Sequence, residues 1–326
     1  MAPLDTYGRR ISYLRMSVTD LCNLRCRYCM PAEGVHKLSH DDILSFEQML
    51  RIARVAVSLG IEKVRITGGE PLVRKNLVHF LSDLAALDGL RELVLTTNGM
   101  LLRKYAQELR TAGVQRLNVS LDSLRPETFS SLTRGGKLET ALDGIAAAEE
   151  AGFPPIKINT VVIRGMNDGE LLDFAAMTLR TPRQIRFIEY MPTTTAPDWS
   201  SAYVSGEEIL LRLREEYELE AVPSSESAGP ASVYRIPGAL GTIGVITPIS
   251  DHFCATCNRV RVTASGIMKA CLFDNGGLSL KPYLNGSDDE LRDVVLGVLR
   301  DKPDRHHLSD NTITQIAPFA MSQIGG

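Results

Sequence analysis

The stretch KVRITGGEP, residues 63–71, decides the fold class, because a short alternating apolar run leads directly into a glycine-rich turn. Runs of the same strand character recur between residues 14 and 191, and amphipathic segments with helical spacing separate them. The predicted strands are LRMSVT (14–19), KVRIT (63–67), ELVLTT (92–97), RLNVSL (116–121), IKINTVVI (156–163) and QIRFIEYM (184–191). The clearest predicted helices are FEQMLRIARVAVSLG (46–60), LLRKYAQELRTAG (101–113) and LETALDGIAAAEEAG (138–152). Repeated strand–helix units of this kind predict a parallel sheet in an α/β fold.

Six such units are too few for a closed eight-stranded barrel, so we expect a partial (β/α)6 TIM-like barrel. The pattern changes near Thr193, where polar, turn-rich segments flank one more predicted helix at 207–217. Further strand-like segments follow at 241–249 and 258–273, the second with a hairpin signal at Ser265–Gly266, and then a helix at 289–303. The sequence therefore predicts a barrel domain over residues 1–200 and a small C-terminal domain over residues 201–326.

Composition and charge exclude several classes of function. The 326 residues are 44% hydrophobic and 23% charged, which is ordinary for a globular protein. Lys and Arg number 36 against 39 Asp and Glu, so the net charge of −3 argues against nonspecific binding of nucleic acid or an anionic membrane. Arg9, Arg10 and Arg15 interrupt the N-terminal apolar stretch, and no apolar run approaches the roughly 18–20 residues of a membrane span. We therefore expect a cytoplasmic protein.

The six cysteines fall into two groups of three. The first trio is Cys22, Cys26 and Cys29, spaced C-x3-C-x2-C, and the second trio is Cys254, Cys257 and Cys271, spaced C-x2-C-x13-C. Without a secretion signal the thiols are expected to stay reduced, and neighbouring thiolates need a cation to neutralise them. Each trio therefore predicts a metal or cluster site.

Two kinds of metal site fit three cysteines. A structural zinc ion would take a histidine as fourth ligand, with His36 or His40 available to the first trio and His252 to the second. A [4Fe–4S] cluster normally takes four cysteines, so a cluster on three would keep one iron open to a substrate or cofactor. The spacing alone leaves both possibilities open.

Basic side chains lie inside the apolar strands. They are Arg15, Lys63, Arg65, Lys157 and Arg186. A single such residue usually marks a solvated strand edge, but five in four strands need anionic partners if they are buried. The sequence therefore predicts a polyanionic ligand inside the barrel. In the GGEP turn the glycines permit close backbone approach, and Glu70 is a candidate acceptor for a ligand ammonium group.

Several motifs carry a resemblance to known proteins. The segment from Cys22 to Cys29, CNLRCRYC, followed by GGEP at 68–71, resembles the radical S-adenosylmethionine (SAM) superfamily. Within it the chain resembles the GTP 3′,8-cyclase family, which begins molybdenum-cofactor biosynthesis. The motifs that match are RMSVTDLCNLRCRYCMP, KVRITGGEPLVRK, LTTNG, RLNVSLDSL, RFIEYMP, CATCNRVRVTASG and the final Ile324-Gly325-Gly326.

The resemblance implies a role for each matching position. The first trio would hold a [4Fe–4S] cluster that binds SAM, and the second trio, in the C-terminal domain, would hold a second [4Fe–4S] cluster that coordinates the guanine of GTP. Residues implied to contact SAM are Tyr28, Gly69, Thr96, Ser120 and Met191. Residues implied to bind GTP are Arg15, Lys63, Arg65, Lys157, Arg186, Asn258, Arg259 and Arg261. The terminal Gly325 and Gly326 would reach into the active site and be needed for turnover but not for folding.

The implied reaction is a radical cyclisation. A 5′-deoxyadenosyl radical would take the ribose 3′ hydrogen of GTP, and the carbon radical would add to C8, giving 3′,8-cyclo-7,8-dihydro-GTP after reduction. The implied partners are an electron donor such as flavodoxin or ferredoxin, the downstream cyclic pyranopterin monophosphate synthase, and a second copy in a homodimer. The alternatives are a radical SAM enzyme that modifies a peptide with the help of an auxiliary cluster, and a nonenzymatic zinc- or cluster-binding protein.

Overall fold

The computed structural model describes residues 3–35, 39, 42–192, 199–223, 229–274, 276–306 and 321. Within these residues the strands are β1 (Tyr13–Ser17), β2 (Lys63–Thr67), β3 (Glu92–Thr97), β4 (Arg116–Ser120), β5 (Lys157–Val162), β6 (Gln184–Glu189), β7 (Glu220–Val222), β8 (Ser232–Arg235), β9 (Thr242–Ile246), β10 (Arg259–Val262), β11 (Ile267–Lys269) and β12 (Leu278–Ser279). The helices are α1 (Phe46–Ser58), α2 (Leu77–Ala85), α3 (Leu102–Thr111), α4 (Pro126–Thr133), α5 (Leu138–Glu150), α6 (Leu171–Arg180), α7 (Trp199–Ala202), α8 (Gly206–Arg214) and α9 (Asp288–Arg300).

All the strands belong to one sheet, in the order β12-β11-β10-β1-β2-β3-β4-β5-β6-β9-β8-β7. The six predicted strands are confirmed as β1 to β6, which are parallel and follow one another in chain order. β10 pairs with β1 and β9 pairs with β6, both in parallel, so the described residues contain an unbroken run of eight parallel strands. The structure is therefore a partial barrel, as predicted, and the C-terminal part of the chain widens it at both edges.

The domain boundary near residue 200 remains a prediction, because strands from its two sides share the sheet. The predicted hairpin at Ser265–Gly266 is confirmed as the antiparallel pair of β10 and β11. None of the helices in the described ranges is long and apolar enough to cross a membrane.

Strand alternation separates the core from the barrel interior. Leu14, Met16, Val64 and Ile66 are completely buried, in the hydrophobic core that also includes α1. The residues between them, among them Arg15, face a cavity inside the barrel. Local signals fix the helix positions: Ser45 accepts a hydrogen bond from the Gln48 amide and completes a capping box at the start of α1. Each strand thus supplies one face to the core and the other to the site.

Candidate active site

A single cavity of about 690 Å³ lies inside the barrel and receives side chains from all eight parallel strands. It brings together every described residue to which the family resemblance gave a role in binding metal, SAM or GTP. These are Arg15, Cys22, Cys26, Tyr28, Cys29, Lys63, Arg65, Gly69, Thr96, Ser120, Lys157, Arg186, Met191, Cys254, Cys257, Asn258, Arg259, Arg261 and Cys271. Gly325 and Gly326 lie outside the described residues. Met321 lines the cavity, and its amide donates a hydrogen bond to the Cys29 carbonyl at 3.2 Å.

The first trio lies on the loop that follows β1, and helix α4 supports that loop. The Arg27 amide donates to the Leu132 carbonyl at 2.9 Å. The Arg134 guanidinium donates to the carbonyls of Arg25 and Met30, both at 2.9 Å. Because these bonds hold the outer side of the loop, its cysteine side chains are left on the cavity wall.

The GGEP turn presses against the same loop. A Cβ atom on Gly68 would lie 2.6 Å from the Thr19 carbonyl oxygen, and one on Gly69 would lie 2.3 Å from the Leu21 carbonyl oxygen. Any side chain at either position would displace the cysteine loop, so the glycines are needed for this close packing.

The proposed ligand-binding role of Glu70 is wrong. Its carboxylate is fully buried and accepts hydrogen bonds from the Leu72 amide, the Thr97 hydroxyl and the Asn98 amide at 2.7–3.1 Å. Burial raises the pKa of Glu70 to about 7. The residue therefore joins the GGEP turn to the end of β3 and does not face the cavity.

Tyr28 is held in place by the buried carboxylate of Asp122, which follows β4. The Tyr28 hydroxyl donates to Asp122 Oδ2 at 2.7 Å, and the Val161 amide donates to Asp122 Oδ1 at 2.9 Å. Burial raises the pKa of Asp122 to about 6. Nearby, the buried Thr96 Oγ1 has no hydrogen-bond partner within the described part of the chain, so it is available to a ligand.

The second trio is assembled from distant segments of the chain. Lys302, only 3% exposed, donates from Nζ to the Arg259 carbonyl at 3.0 Å and the Ala270 carbonyl at 2.6 Å. Arg9 donates to the Cys254 carbonyl at 2.8 Å and forms a buried ion pair with Asp5 at 2.6 Å. Sequence reasoning missed Arg9 and Lys302, because nothing local in their sequence links them to the cysteines.

Cys257 differs in its electrostatic surroundings from Cys22 and Cys26, and also from Cys254 of its own trio, whose pKa is raised by burial. Burial raises the pKa of Cys22 to about 11 and that of Cys26 well above its usual value. Burial also acts to raise the pKa of Cys257, but Arg259 and Lys302 outweigh it and lower the pKa to about 6. The second trio is therefore the one that lies among cations.

None of the six cysteines forms a disulfide. Within the described ranges no three Cys, His, Asp or Glu side chains are placed to hold a single metal ion. An iron–sulfur cluster is held through separate iron atoms, so its cysteines need not converge on one point. His36 and His40 lie outside the described residues, and the His252 ring packs 5.1 Å from that of His306.

The basic residues form a field across neighbouring strands. Arg261, Arg15 and Arg65 occupy matched positions on β10, β1 and β2. The sequence predicted that the strand cations need a ligand as their anionic partner. Lys63 already forms an ion pair with Glu92 at 2.5 Å, and Arg116 binds the same carboxylate at 3.0 Å. This cluster of basic side chains, the cationic field, therefore already includes an acid, Glu92, that pairs with two of its members.

The position of the field along the barrel also differs from expectation. Lys63 and Lys157 are the first residues of β2 and β5, whereas barrel enzymes generally carry their chemistry at the carboxyl ends of the strands. The first trio follows the carboxyl end of β1. The cavity thus extends from the first trio at one end of the strands to cations at the other.

We expect Lys302→Met to weaken the second cluster site selectively. The change leaves two buried carbonyls without a donor, which costs about 1–3 kcal/mol in the free energy of unfolding. The metal bound by the second trio should fall, while the metal bound by the first trio should stay unchanged. Iron analysis, Mössbauer spectra and thermal melts would measure this, with the exposed Lys104→Met as control. Equal iron loading in both variants would contradict the assignment.

Comparison with known proteins defines the class. The profile described as the Radical SAM superfamily matches residues 16–178, and the profile described as Molybdenum Cofactor Synthesis C matches residues 183–308. Crystal structures of Streptococcus suis SuiB, alone and bound to SAM, superpose with a TM-score of 0.63 at 14% and 15% identity. They cover 91% and 90% of this chain, and 68% and 66% of the SuiB chains. The fold and the first trio thus define a radical SAM protein, a class that uses SAM and an iron–sulfur cluster.

Relatives with higher sequence identity show to which family within this class the chain belongs. GTP 3′,8-cyclase of Geobacter sulfurreducens is 58% identical, with 100% of both chains covered. The enzymes of that name from Peptoclostridium acidaminophilum and Moorella thermoacetica are 48% and 47% identical, covering 99% of this chain and 98% and 99% of theirs. The chain belongs to the GTP 3′,8-cyclase family. The family resemblance seen in the sequence is confirmed, and it favours a cyclase over a peptide-modifying enzyme or a nonenzymatic binding protein.

Proposed function

We propose that the protein converts GTP into 3′,8-cyclo-7,8-dihydro-GTP by radical SAM chemistry, the first step of molybdenum-cofactor biosynthesis. The observation that carries the proposal is the single cavity, which both cysteine trios line together with the cationic field. A cofactor at one trio and a substrate at the other would share one cavity inside the barrel. That arrangement suits a reaction in which a radical must meet its substrate without meeting solvent.

The first trio would hold a [4Fe–4S] cluster with SAM, and the second trio a [4Fe–4S] cluster facing the guanine of GTP. When bound, the first cluster and SAM supply a 5′-deoxyadenosyl radical that takes the ribose 3′ hydrogen. Tyr28, Gly69, Thr96, Ser120 and Met191 would contact SAM. The chain contributes position above all: Asp122 fixes the Tyr28 ring, and the glycine turn fixes the cysteine loop.

The cationic field would hold the nucleotide. Arg259, Arg261 and Asn258 lie by the second trio, and Arg15, Lys63, Arg65, Lys157 and Arg186 extend from there into the barrel. The Arg261 Nη1 is buried and has no hydrogen-bond partner among the described residues, so it is available to an oxygen of GTP. These contacts would hold C3′ and C8 of the nucleotide in register for bond formation.

The reaction would balance with two added electrons and one proton: one electron for cleavage of SAM to methionine and 5′-deoxyadenosine, which takes up the substrate hydrogen atom, and one electron with the proton for the cyclised substrate. The substrate loses a hydrogen atom from C3′, the C3′–C8 bond forms, and reduction and protonation give a product isomeric with GTP. Flavodoxin or ferredoxin would supply electrons, and cyclic pyranopterin monophosphate synthase would take up the product. We place this work in the cytoplasm, by a protein that forms a homodimer, with Gly325 and Gly326 completing the active site.

The deciding experiment follows SAM cleavage and the nucleotide product together. Anaerobically reconstituted protein is given SAM and a reductant with GTP, with ATP, or with no nucleotide. We expect the amount of 5′-deoxyadenosine to rise when GTP is the added nucleotide, but not with ATP. A nucleotide product with the mass of GTP should form at the same time. Cleavage indifferent to GTP would overturn the substrate assignment while leaving the radical SAM class intact.

The affinity for GTP should depend on pH through Lys157. Burial, together with the nearby charges of Arg186 and Arg116, lowers the pKa of Lys157 to about 7. Bound phosphate favours the charged amine and raises that pKa. Below pH 7 the amine is already charged, so the contact is fully present; above pH 7 binding must take up a proton, and affinity falls by up to about tenfold per pH unit.

Lys157→Arg is the matched control, because arginine stays charged throughout this range. Equilibrium dialysis of GTP between about pH 7 and about pH 9 should show the loss of affinity in the wild type and a flatter profile in the variant. Identical profiles would show that Lys157 does not carry the dependence.

A further inference from the structure

Tyr13 is a cavity residue that neither the sequence motifs nor the proposed mechanism uses. It is the first residue of β1, opposite Arg259 on β10 and Lys63 on β2. It is 5% exposed, and it lies on the same face of the strand as Arg15, towards the cavity. Its position therefore lies between the second trio and the cationic field.

The hydroxyl of Tyr13 is buried and has no hydrogen-bond partner within the described part of the protein. Buried phenol groups usually have a partner, since an unsatisfied one is destabilising. In a cavity that must hold a ligand, an unsatisfied donor indicates that the ligand supplies the acceptor.

The surroundings of the ring specify the acceptor. Lys63 Nζ lies 5.1 Å from the ring centroid and Arg65 Cζ lies 5.3 Å from it, both within cation–π distance. Burial acts to raise the pKa of Tyr13, but Arg65, Arg15 and Lys63 outweigh it and lower the pKa. A group that approaches this hydroxyl enters a positive field, which selects an oxyanion over a neutral ribose or base atom.

We propose that Tyr13 is a substrate-binding residue that donates a hydrogen bond to a phosphate oxygen of the nucleotide while its ring holds Lys63 and Arg65 in place. This rests on the proposed function, which supplies the triphosphate. The residue would then tune how tightly the phosphate chain is held, without touching the SAM side of the cavity.

Tyr13→Phe tests the assignment, because it removes the hydroxyl and keeps the ring on which the two cations lie. We expect the KM for GTP to rise about tenfold, as for loss of a hydrogen bond to a charged group, with kcat little changed. The inhibition constant of inorganic triphosphate should rise by the same factor, while guanosine binding and nucleotide-free SAM cleavage stay the same. Tyr105→Phe, on α3 and outside the cavity lining, is the matched control.

The outcomes separate this inference from the proposed function. Unchanged constants for both GTP and inorganic triphosphate would overturn the inference, and so would guanosine binding weakened to the same degree. Iron content and melting temperature equal to those of Tyr105→Phe would show that the variant is folded. If the wild type does not cyclise GTP, binding of inorganic triphosphate still tests whether Tyr13 contacts a phosphate oxyanion.

Discussion

A Cys26→Ala variant is expected to form no detectable 5′-deoxyadenosine, with or without GTP. Cys26 is one of three thiols on the loop after β1, and two cysteines cannot hold the open-iron cluster on which SAM cleavage depends. The bound iron should fall by about half, from about eight to about four atoms per chain if each trio carries a [4Fe–4S] cluster. Anaerobic iron analysis and chromatography of the nucleoside would measure both changes.

Cys257→Ala is the matched control at the other trio. It should lose a similar amount of iron but still cleave SAM slowly, and GTP should no longer stimulate that cleavage. Loss of one site should leave the other folded, because the loop of the first trio is supported by α4 and the loop of the second by Lys302 and Arg9. Formation of 5′-deoxyadenosine by Cys26→Ala, or its complete loss in Cys257→Ala, would contradict this division of labour.

Deletion of Gly325 and Gly326 should reduce cyclisation of GTP to background while the protein still folds and binds iron. Met321 contacts the carbonyl of Cys29 inside the cavity, and five further residues reach at most about 17 Å. The last five residues are therefore attached to the chain at the wall of the cavity that both trios line. Product formation, iron content and melting temperature would be measured on the same preparations.

Replacing Gly325 and Gly326 by alanine separates length from residue size. If small size is needed, both this variant and the deletion lose turnover, whereas a need for length alone spares the alanine variant. Full activity of the deletion variant would overturn the proposed role of the tail. A lowered melting temperature would show instead that the tail contributes to stability.

The fold was predictable where the signal is local. Apolar runs of strand length predict β1 to β6, and helical periodicity after the cap at Ser45 predicts α1. The parallel placement of β9 and β10 at the two edges was not predictable, since it depends on pairings far apart in the chain. A short apolar run indicates a strand, but it does not indicate with which other strand it pairs.

The residues of the site were likewise predictable only where a local sequence signal marks them. The cysteine trios carry their chemistry in their spacing, and the basic residues stand out against apolar strands. Lys302 and Arg9 carry no such signal, because a lysine after a helix and an arginine near a terminus are ordinary surface residues until the fold buries them. The hypothesis that Glu70 binds a ligand failed for a related reason. Its carboxylate accepts hydrogen bonds from Thr97 and Asn98, at the end of the neighbouring strand β3.

The supports of the two cysteine sites are, for the most part, completed at different moments of synthesis. The contacts of α4 and of the GGEP turn with the first loop, up to Arg134, are all made by residues in the first half of the chain, and the Met321 amide adds its hydrogen bond to Cys29 at the end of synthesis. The second site needs Arg9 from the beginning and Lys302 from near the end, brought together as β10 settles beside β1. Since chains fold from the N-terminus as they emerge from the ribosome, we expect most contacts around the first trio to form before those around the second trio.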